Sequence, residues 1–179
     1  MRLTLETERL ILRPFEKSDA LPMFEGWAND PEVTKYLTWN PHKDLEETVA
    51  RIDRWIAEYE KPERLNFAIE RKGTQDLIGT IGVVGYLGGV KGTPVIGYTS
   101  SRAVWGNGYM TEACKCLLAY LFSIGYKEVR IDARVENIAS NRVIQKCGGK
   151  WIAVEEEVLE EKENQKVMVN RYLVTAPDK

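Results

Sequence analysis

At 179 residues, 44% of them apolar, the chain has the size and apolar content of one compact domain with a sizeable core. No run approaches the roughly 18 uninterrupted apolar residues of a membrane span, and Met1–Glu8 lacks the basic-then-apolar layout of a secretory signal, so a single cytoplasmic domain over 1–179 without membrane contact is expected. A formal net charge of −2 and a pI near 5.7 argue against a global grip on nucleic acid, so any bound anion must be recognised locally.

Taken in chain order, Arg9–Phe15 alternates as a first strand, and Ser18 or Asp19 can cap a helix running toward Trp27, with a break at Asp30-Pro31. Val49, Ile52, Ile56 and Tyr59 recur at helical spacing within Leu45–Tyr59, whereas Leu65, Phe67 and Ile69 alternate, so helix gives way to sheet near Pro62. Leu77–Tyr86 follows the Lys72-Gly73 turn, and Val95–Thr99 follows the glycine-rich Gly88–Gly92. Three consecutive strands predict antiparallel hairpins. Met110, Ala113, Cys114, Leu117, Leu118 and Leu121 then form the clearest helical stripe, ending before Gly125. Val129, Ile131, Ala133 and Val135 alternate with charged residues, and a short helix should run from near Asn137 to Gly148-Gly149 with Ser140, Val143, Ile144 and Cys147 on its inward face. Trp151–Val154 and Val167–Val174 read as a closing hairpin across an acidic connection, Glu155–Glu163. No repeat or long linker interrupts this mixed α+β order.

Three cysteines (Cys114, Cys116, Cys147) without metal-ligand spacing, and a single histidine, His42, predict structural thiols and no metal site. The most informative run is Trp105-Gly106-Asn107-Gly108-Tyr109-Met110-Thr111-Glu112, which joins a short strand to the strongest helix. Glycines let the backbone approach a ligand, and the unpaired N–H groups of a helix N-terminus suit a phosphate or pyrophosphate. Alternatively, the two glycines only make a tight turn. The run is neither a P-loop nor a dinucleotide fingerprint, since Thr111 stands where a third glycine would be, which disfavours ATP and NAD.

The run resembles the coenzyme A pyrophosphate loop of the GNAT acetyltransferase superfamily, in the branch containing ribosomal-protein N-terminal acetyltransferases. Glu6–Pro14 resembles that branch's first strand, Ile96-Gly97-Tyr98 its cofactor-flanking strand, and Asn137–Gly148 its later cofactor helix, so the similarity covers nearly the whole chain. Trp105 departs from the superfamily's Gln or Arg, and Met110 replaces its final small residue, which narrows the space beside a cofactor. The resemblance implies a strongly curved, mostly antiparallel sheet of six to seven strands with about four helices. It also implies a split between the fourth and fifth strands that receives the pantetheine arm of acetyl-CoA. Residues implied at the cofactor are Ile96, Tyr98, Thr99, Trp105, Gly106, Asn107, Gly108, Tyr109, Met110, Thr111, Asn137 and Asn141. The residues alone leave Asn137 as a possible helix cap and Asn141 as solvent-exposed.

The activity implied is direct attack of a primary amine on the acetyl thioester, without a covalent enzyme intermediate. Many relatives carry a proton-donating tyrosine where Ile144 stands here, so Ser140, one turn earlier, becomes the candidate donor to the departing sulfur, against a reading in which it bonds back to a helix carbonyl. No carboxylate stands out as the base: Glu112 suits the helix dipole, and Asp132 and Glu136 read as exposed. Tyr36–His42 resembles a variable acceptor-side segment, with Trp39 the candidate acceptor contact or a packing residue. A protein N-terminus, a small amine and an aminoglycoside all stay open as acceptors, and the chain as monomer or homodimer. A non-catalytic coenzyme A or nucleotide sensor, and a silent interaction domain, are the rival classes.

Overall fold

The alternating first segment does form a strand, but it arrives with a partner. In the computed structural model, which describes residues 3–178, Leu5–Glu6 (β1) pairs antiparallel with Leu10–Arg13 (β2). The other strands are Asn66–Arg71 (β3), Leu77–Leu87 (β4), Thr93–Ser100 (β5), Glu128–Arg134 (β6), Lys150–Leu159 (β7) and Gln165–Thr175 (β8). Their order is β1-β2-β3-β4-β5-β6-β8-β7. The hairpins expected over β3–β5 are antiparallel, and β8 pairs antiparallel with both β6 and β7. Only β5 and β6 run parallel, through two register pairs, Val95↔Arg130 and Ile96↔Ile131. A parallel step needs a crossover, and the helix Tyr109–Ser123 supplies it. Eight strands therefore replace the six to seven expected, and the extra β1 moves the expected split to between β5 and β6.

Helices cover both faces: Ala20–Met23 (α1), Pro31–Thr34 (α2), Leu45–Glu58 (α3), Tyr109–Ser123 (α4) and Ile138–Lys146 (α5). Strand alternation divides the interior into two cores. Phe67 and Ile69 join the α4 side with Leu117, Leu121 and Ile131, whereas Ala68 joins Phe15, Trp27 and Ile52 on the α1–α3 side. The α4 stripe is buried as its spacing predicts, Ala113, Cys114, Leu117, Leu118 and Leu121 all facing the sheet. All three cysteines are free thiols.

Three local expectations are corrected. The helix toward Trp27 is a 3-10 turn (Lys17–Asp19), α1 and a π-helical turn (Phe24–Ala28) whose wider pitch seats both Trp27 and Ala28 in the core; Glu16, not Ser18 or Asp19, caps the first turn, with Asp19 bonding back to it at 2.8 Å. Asp30-Pro31 starts a helix rather than ending one, because the Asp30 carboxylate accepts the Glu32 N–H at 2.9 Å and Pro31 occupies the first helical position. The acidic run from Glu155 is mostly strand, since Glu155 and Glu157 are neutralised by Arg171 at 3.0 Å each; the turn is confined to 160–164. No helix is long and apolar enough to cross a membrane among the described residues.

Candidate active site

The parallel pairing of β5 and β6 stops after Ile96↔Ile131, and the strands open into a cleft of about 550 Å³. Gly97, Tyr98 and Thr99 line one bank, and Asp132, Ala133 and Arg134 the other. Of the residues implied by resemblance, Ile96, Tyr98, Thr99, Asn137, Ser140 and Trp39 line this cleft. Asn141 and the loop Trp105–Thr111 are not part of its wall.

Ser140 sits in the first turn of α5, its N–H donated to the Asn137 cap oxygen at 3.1 Å. Among the described residues its hydroxyl bonds no helix carbonyl; it lies 2.9 Å from the Tyr98 hydroxyl, which also reaches the Ser140 backbone carbonyl at 3.3 Å. Burial pushes the Tyr98 phenol well above its ordinary value, against a smaller opposing pull from Ser140, and so keeps it protonated. Ile144, one turn on, is fully buried. Asn137 is both cap and cleft residue: its Oδ1 serves the helix, while no hydrogen bond engages its Nδ2 among the described residues.

Asn141 is corrected. Its Nδ2 donates to the carbonyls of Arg134 (2.9 Å) and Asn137 (2.7 Å), and its Oδ1 accepts from Asn170 (2.9 Å) and Tyr172 (2.7 Å). Every donor and acceptor of that amide is therefore used, and the residue ties β6, α5 and β8 together instead of offering contacts to pantetheine. Nor is it exposed: burial is nearly complete.

The loop before α4 leaves the first-turn N–H groups of the helix open. Gly106 and Gly108 take φ of 80° and 78°, a region costly for other residues. Gly108 is the N-cap and brings no side chain to the first-turn N–H groups, leaving those of Tyr109, Met110 and Thr111 without intrahelical acceptors. The Asn107 side chain turns back into the loop, donating to Val104 O at 2.9 Å, and the exposed Trp105 indole donates to Ser100 O at 3.2 Å. Met110 does not narrow the loop; it packs against the α4-side core.

Sequence reasoning missed the brace behind this loop. Arg9 donates to Asn107 O (2.9 Å) and to Glu112 (2.7 Å), lies over the Tyr109 ring at 4.5 Å, and Glu112 also accepts from the Thr7 hydroxyl (2.6 Å) and the Arg9 N–H (2.9 Å). Burial raises the Glu112 pKa, but these hydrogen bonds together outweigh it and hold the carboxyl below its ordinary value. A dipole partner was legible in Glu112; a contact more than a hundred residues back in the chain was not. Glu136 is exposed as expected, whereas Asp132 is held between Arg130 (2.9 Å) and Arg171 (2.8 Å). The carboxylates lining the cleft are Glu58, Asp132 and Glu157.

Trp39 lies against the His42 ring, tilted to it at 34° with centroids 4.9 Å apart, and under the Arg51 guanidinium at 4.8 Å, packing against the α1–α3 core while also lining the cleft. His42 is buried with its Nδ1 2.6 Å from the Thr48 hydroxyl, and burial, then Arg51, push it below its ordinary pKa.

Residues 9–150 match the family model described as the acetyltransferase (GNAT) domain. The chain belongs to the GNAT acetyltransferase family. YoaA of Bacillus subtilis (strain 168), named an uncharacterized N-acetyltransferase, is 34% identical to this GNAT chain over 145 residues, 80% of this chain and 81% of its own. The GNAT-family acetyltransferase structure from Bacillus anthracis superposes with a TM-score of 0.83 at 24% identity, over 97% of this chain and 98% of that one. RimL, a ribosomal L7/L12 alpha-N-protein acetyltransferase solved with coenzyme A, superposes with a TM-score of 0.83 at 19% identity, over 97% and 98%. This GNAT protein is thus an acyltransferase with the GNAT fold.

Proposed function

We infer that this GNAT protein acts as a single cytoplasmic N-acetyltransferase domain, moving the acetyl group of acetyl-CoA to a primary amine on a protein N-terminus or small molecule. The observation that carries the reading is the cleft between β5 and β6, with the Tyr98–Ser140 hydroxyl pair on its wall and the open N–H groups of the α4 loop. The loop supplies backbone donors for a pyrophosphate, and the unpaired edges of the two strands supply amides for an extended pantetheine arm. The RimL neighbour, solved with coenzyme A, supports the same cosubstrate.

In the transfer, the neutral amine nitrogen attacks the thioester carbonyl carbon, the C–S bond breaks, and the sulfur receives a proton. We assign that donation to Ser140, whose hydroxyl is reprotonated through cleft water by the proton that the amine loses, while Tyr98, kept neutral by burial, orients Ser140 through their 2.9 Å contact. The proton lost by the amine passes to the carboxylates or water of the cleft. No step requires a covalent bond to the protein. Incubation with acetyl-CoA and a broad amine and peptide panel, read by thiol release and product mass, tests this: acetylated product is expected. Tight acetyl-CoA binding with no transfer to any amine overturns it.

A further inference from the structure

Resting on the acetyl-transfer reading above, we propose that the acceptor amine carries an anionic oxygen group, a carboxylate or phosphate, which Arg134 and Arg51 bind in the cleft. Val129, Ile131 and Ala133 of β6 point into the α4-side core, so Arg130, Asp132 and Arg134 project from the other face. Arg130 and Asp132 pair with each other, and Arg171 with Asp132, Glu155 and Glu157. Arg134 is left out of that network. It is only 8% exposed, no hydrogen bond or ion pair reaches its guanidinium among the described residues, and its Nη2 is wholly buried without a partner.

The groups around it add to the charge instead of cancelling it. Arg51, on α3, lines the same cleft, stacked on Trp39; its one ion pair among the described residues is a 3.8 Å contact with a largely exposed Glu161. Burial and, secondly, the nearby Arg134 push the Lys162 ammonium below its ordinary pKa, while its hydrogens are spent on the carbonyls of Thr34 (2.7 Å) and Lys35 (3.3 Å). Asn66 presents a further buried Nδ2 without a partner in the cleft wall. Of the cleft carboxylates, Asp132 and Glu157 are held by Arg171, and Glu58 faces Arg64 at 3.9 Å. After internal pairing, Arg134 is the cleft arginine left without a partner among the described residues, and Arg51 is the second, because its partner Glu161 is 66% exposed whereas Glu58, which faces Arg64, is 29% exposed.

A buried cation without a counter-ion is costly, and the planar donor fork of arginine matches carboxylate and phosphate oxygens best. A bound anion removes that cost; a polyamine or aminoglycoside would add further positive charge against it. The phosphates of coenzyme A do not account for the pair, since the α4 loop that cradles a pyrophosphate lies outside the cleft wall.

With acetyl-CoA saturating, acceptors matched except for one charge decide the matter: β-alanine against β-alaninamide, O-phosphoethanolamine against ethanolamine, and spermidine as the cationic arm. The anionic member should lead in kcat/KM, with the two pairs separating carboxylate from phosphate. Arg134→Gln should collapse the anionic-to-neutral preference about 10²-fold, through KM more than kcat, Arg134→Lys should restore part of it, and Arg51→Gln should cost less. Arg134→Met should melt no lower than the parent protein, because it removes an unpaired buried charge; a marked loss of stability makes Arg134 a folding residue and overturns the assignment. Preference for neutral or cationic amines, or an equal slowing of all acceptors by Arg134→Gln, also overturns it while acetyl transfer stands. If acetyl-CoA binds and no amine is acetylated, the activity reading fails separately. In that case calorimetry with inorganic phosphate on the coenzyme A complex decides the anion site: binding that Arg134→Gln abolishes upholds it, and no binding ends it.

Discussion

Ser140 and Tyr98 are 42 residues apart in the chain, and their hydroxyls meet only because α5 lies across the open end of β5. Ser140→Ala should lower the single-turnover rate of acetyl transfer about 10²-fold, the lower end of the usual worth of general acid catalysis, while acetyl-CoA affinity stays near that of the parent; an unchanged rate would make the serine structural. His42 gives a pH prediction at the same scale. Its pKa is depressed in the fold, so the unfolded chain binds the proton more readily, and stability is lost as pH falls from the ordinary histidine value of about 6.5 through the depressed one. Chemical denaturation between pH 7 and pH 5 should show a steeper fall for the parent than for His42→Gln. The place of Ser140 on the inward face of α5 was legible because it belongs to a helical stripe. Asn141 was not: its spacing from Asn137 says only that they share a face, while the partners that saturate it, Asn170 and Tyr172, come from a strand 29 and 31 residues further on. Arg134 was hidden for a similar reason, since a charged residue in an alternating strand reads as solvated until β8 pairs beside it at Val169 and Lys162 comes near.

At the scale of elements, α4 and its loop followed from the sequence because two local signals coincide, a strict apolar stripe and glycines just before it. The short α2 and the π-helical turn did not, because four or five residues hold too little periodicity to distinguish a turn from a helix. The same loop supports two further predictions. Gly108→Ala places a Cβ in ordinary contact with Arg9 at 3.6 Å, so space is available, but φ of 78° imposes about 1–2 kcal/mol of strain. Acetyl-CoA affinity should fall by more than this loss in folding stability if the loop holds the pyrophosphate; matched losses would restrict Gly108 to a turn. Glu112 tests the brace. Because its pKa is held below the ordinary value of about 4.5, its contribution is complete above that pH and disappears as pH falls through the depressed value. Amide exchange across 105–110 should therefore quicken in acid for the parent, once corrected for intrinsic rates, and Glu112→Gln should show the quicker exchange already at pH 7. Indistinguishable profiles would mean that Arg9 and Asn107 hold the loop unaided.

Across the whole molecule, one sheet separates two cores, and its two parts share only a pair of parallel register positions between β5 and β6. That topology was not readable from periodicity, which fixes where strands lie and which way their side chains face but not which strands become neighbours; the resemblance, not the pattern, carried the split. A sheet joined so narrowly leaves backbone groups of 97–99 and 132–134 facing the cleft, and an extended amide-bearing ligand there would act as the missing rung. Coenzyme A should therefore stabilise the fold as a whole. At 100 times its dissociation constant, a ligand bound only by the native state adds about 2.7 kcal/mol, or roughly 5–11 °C in melting temperature for a domain of this size. The location of the effect is more diagnostic than its size. Hydrogen exchange with and without coenzyme A should show protection on both banks, at 97–99 and at 132–134, together with the α4 loop. Protection confined to the loop would mean that the arm lies elsewhere. The cleft would then belong to the acceptor alone, and the Tyr98–Ser140 pair would have no sulfur within reach.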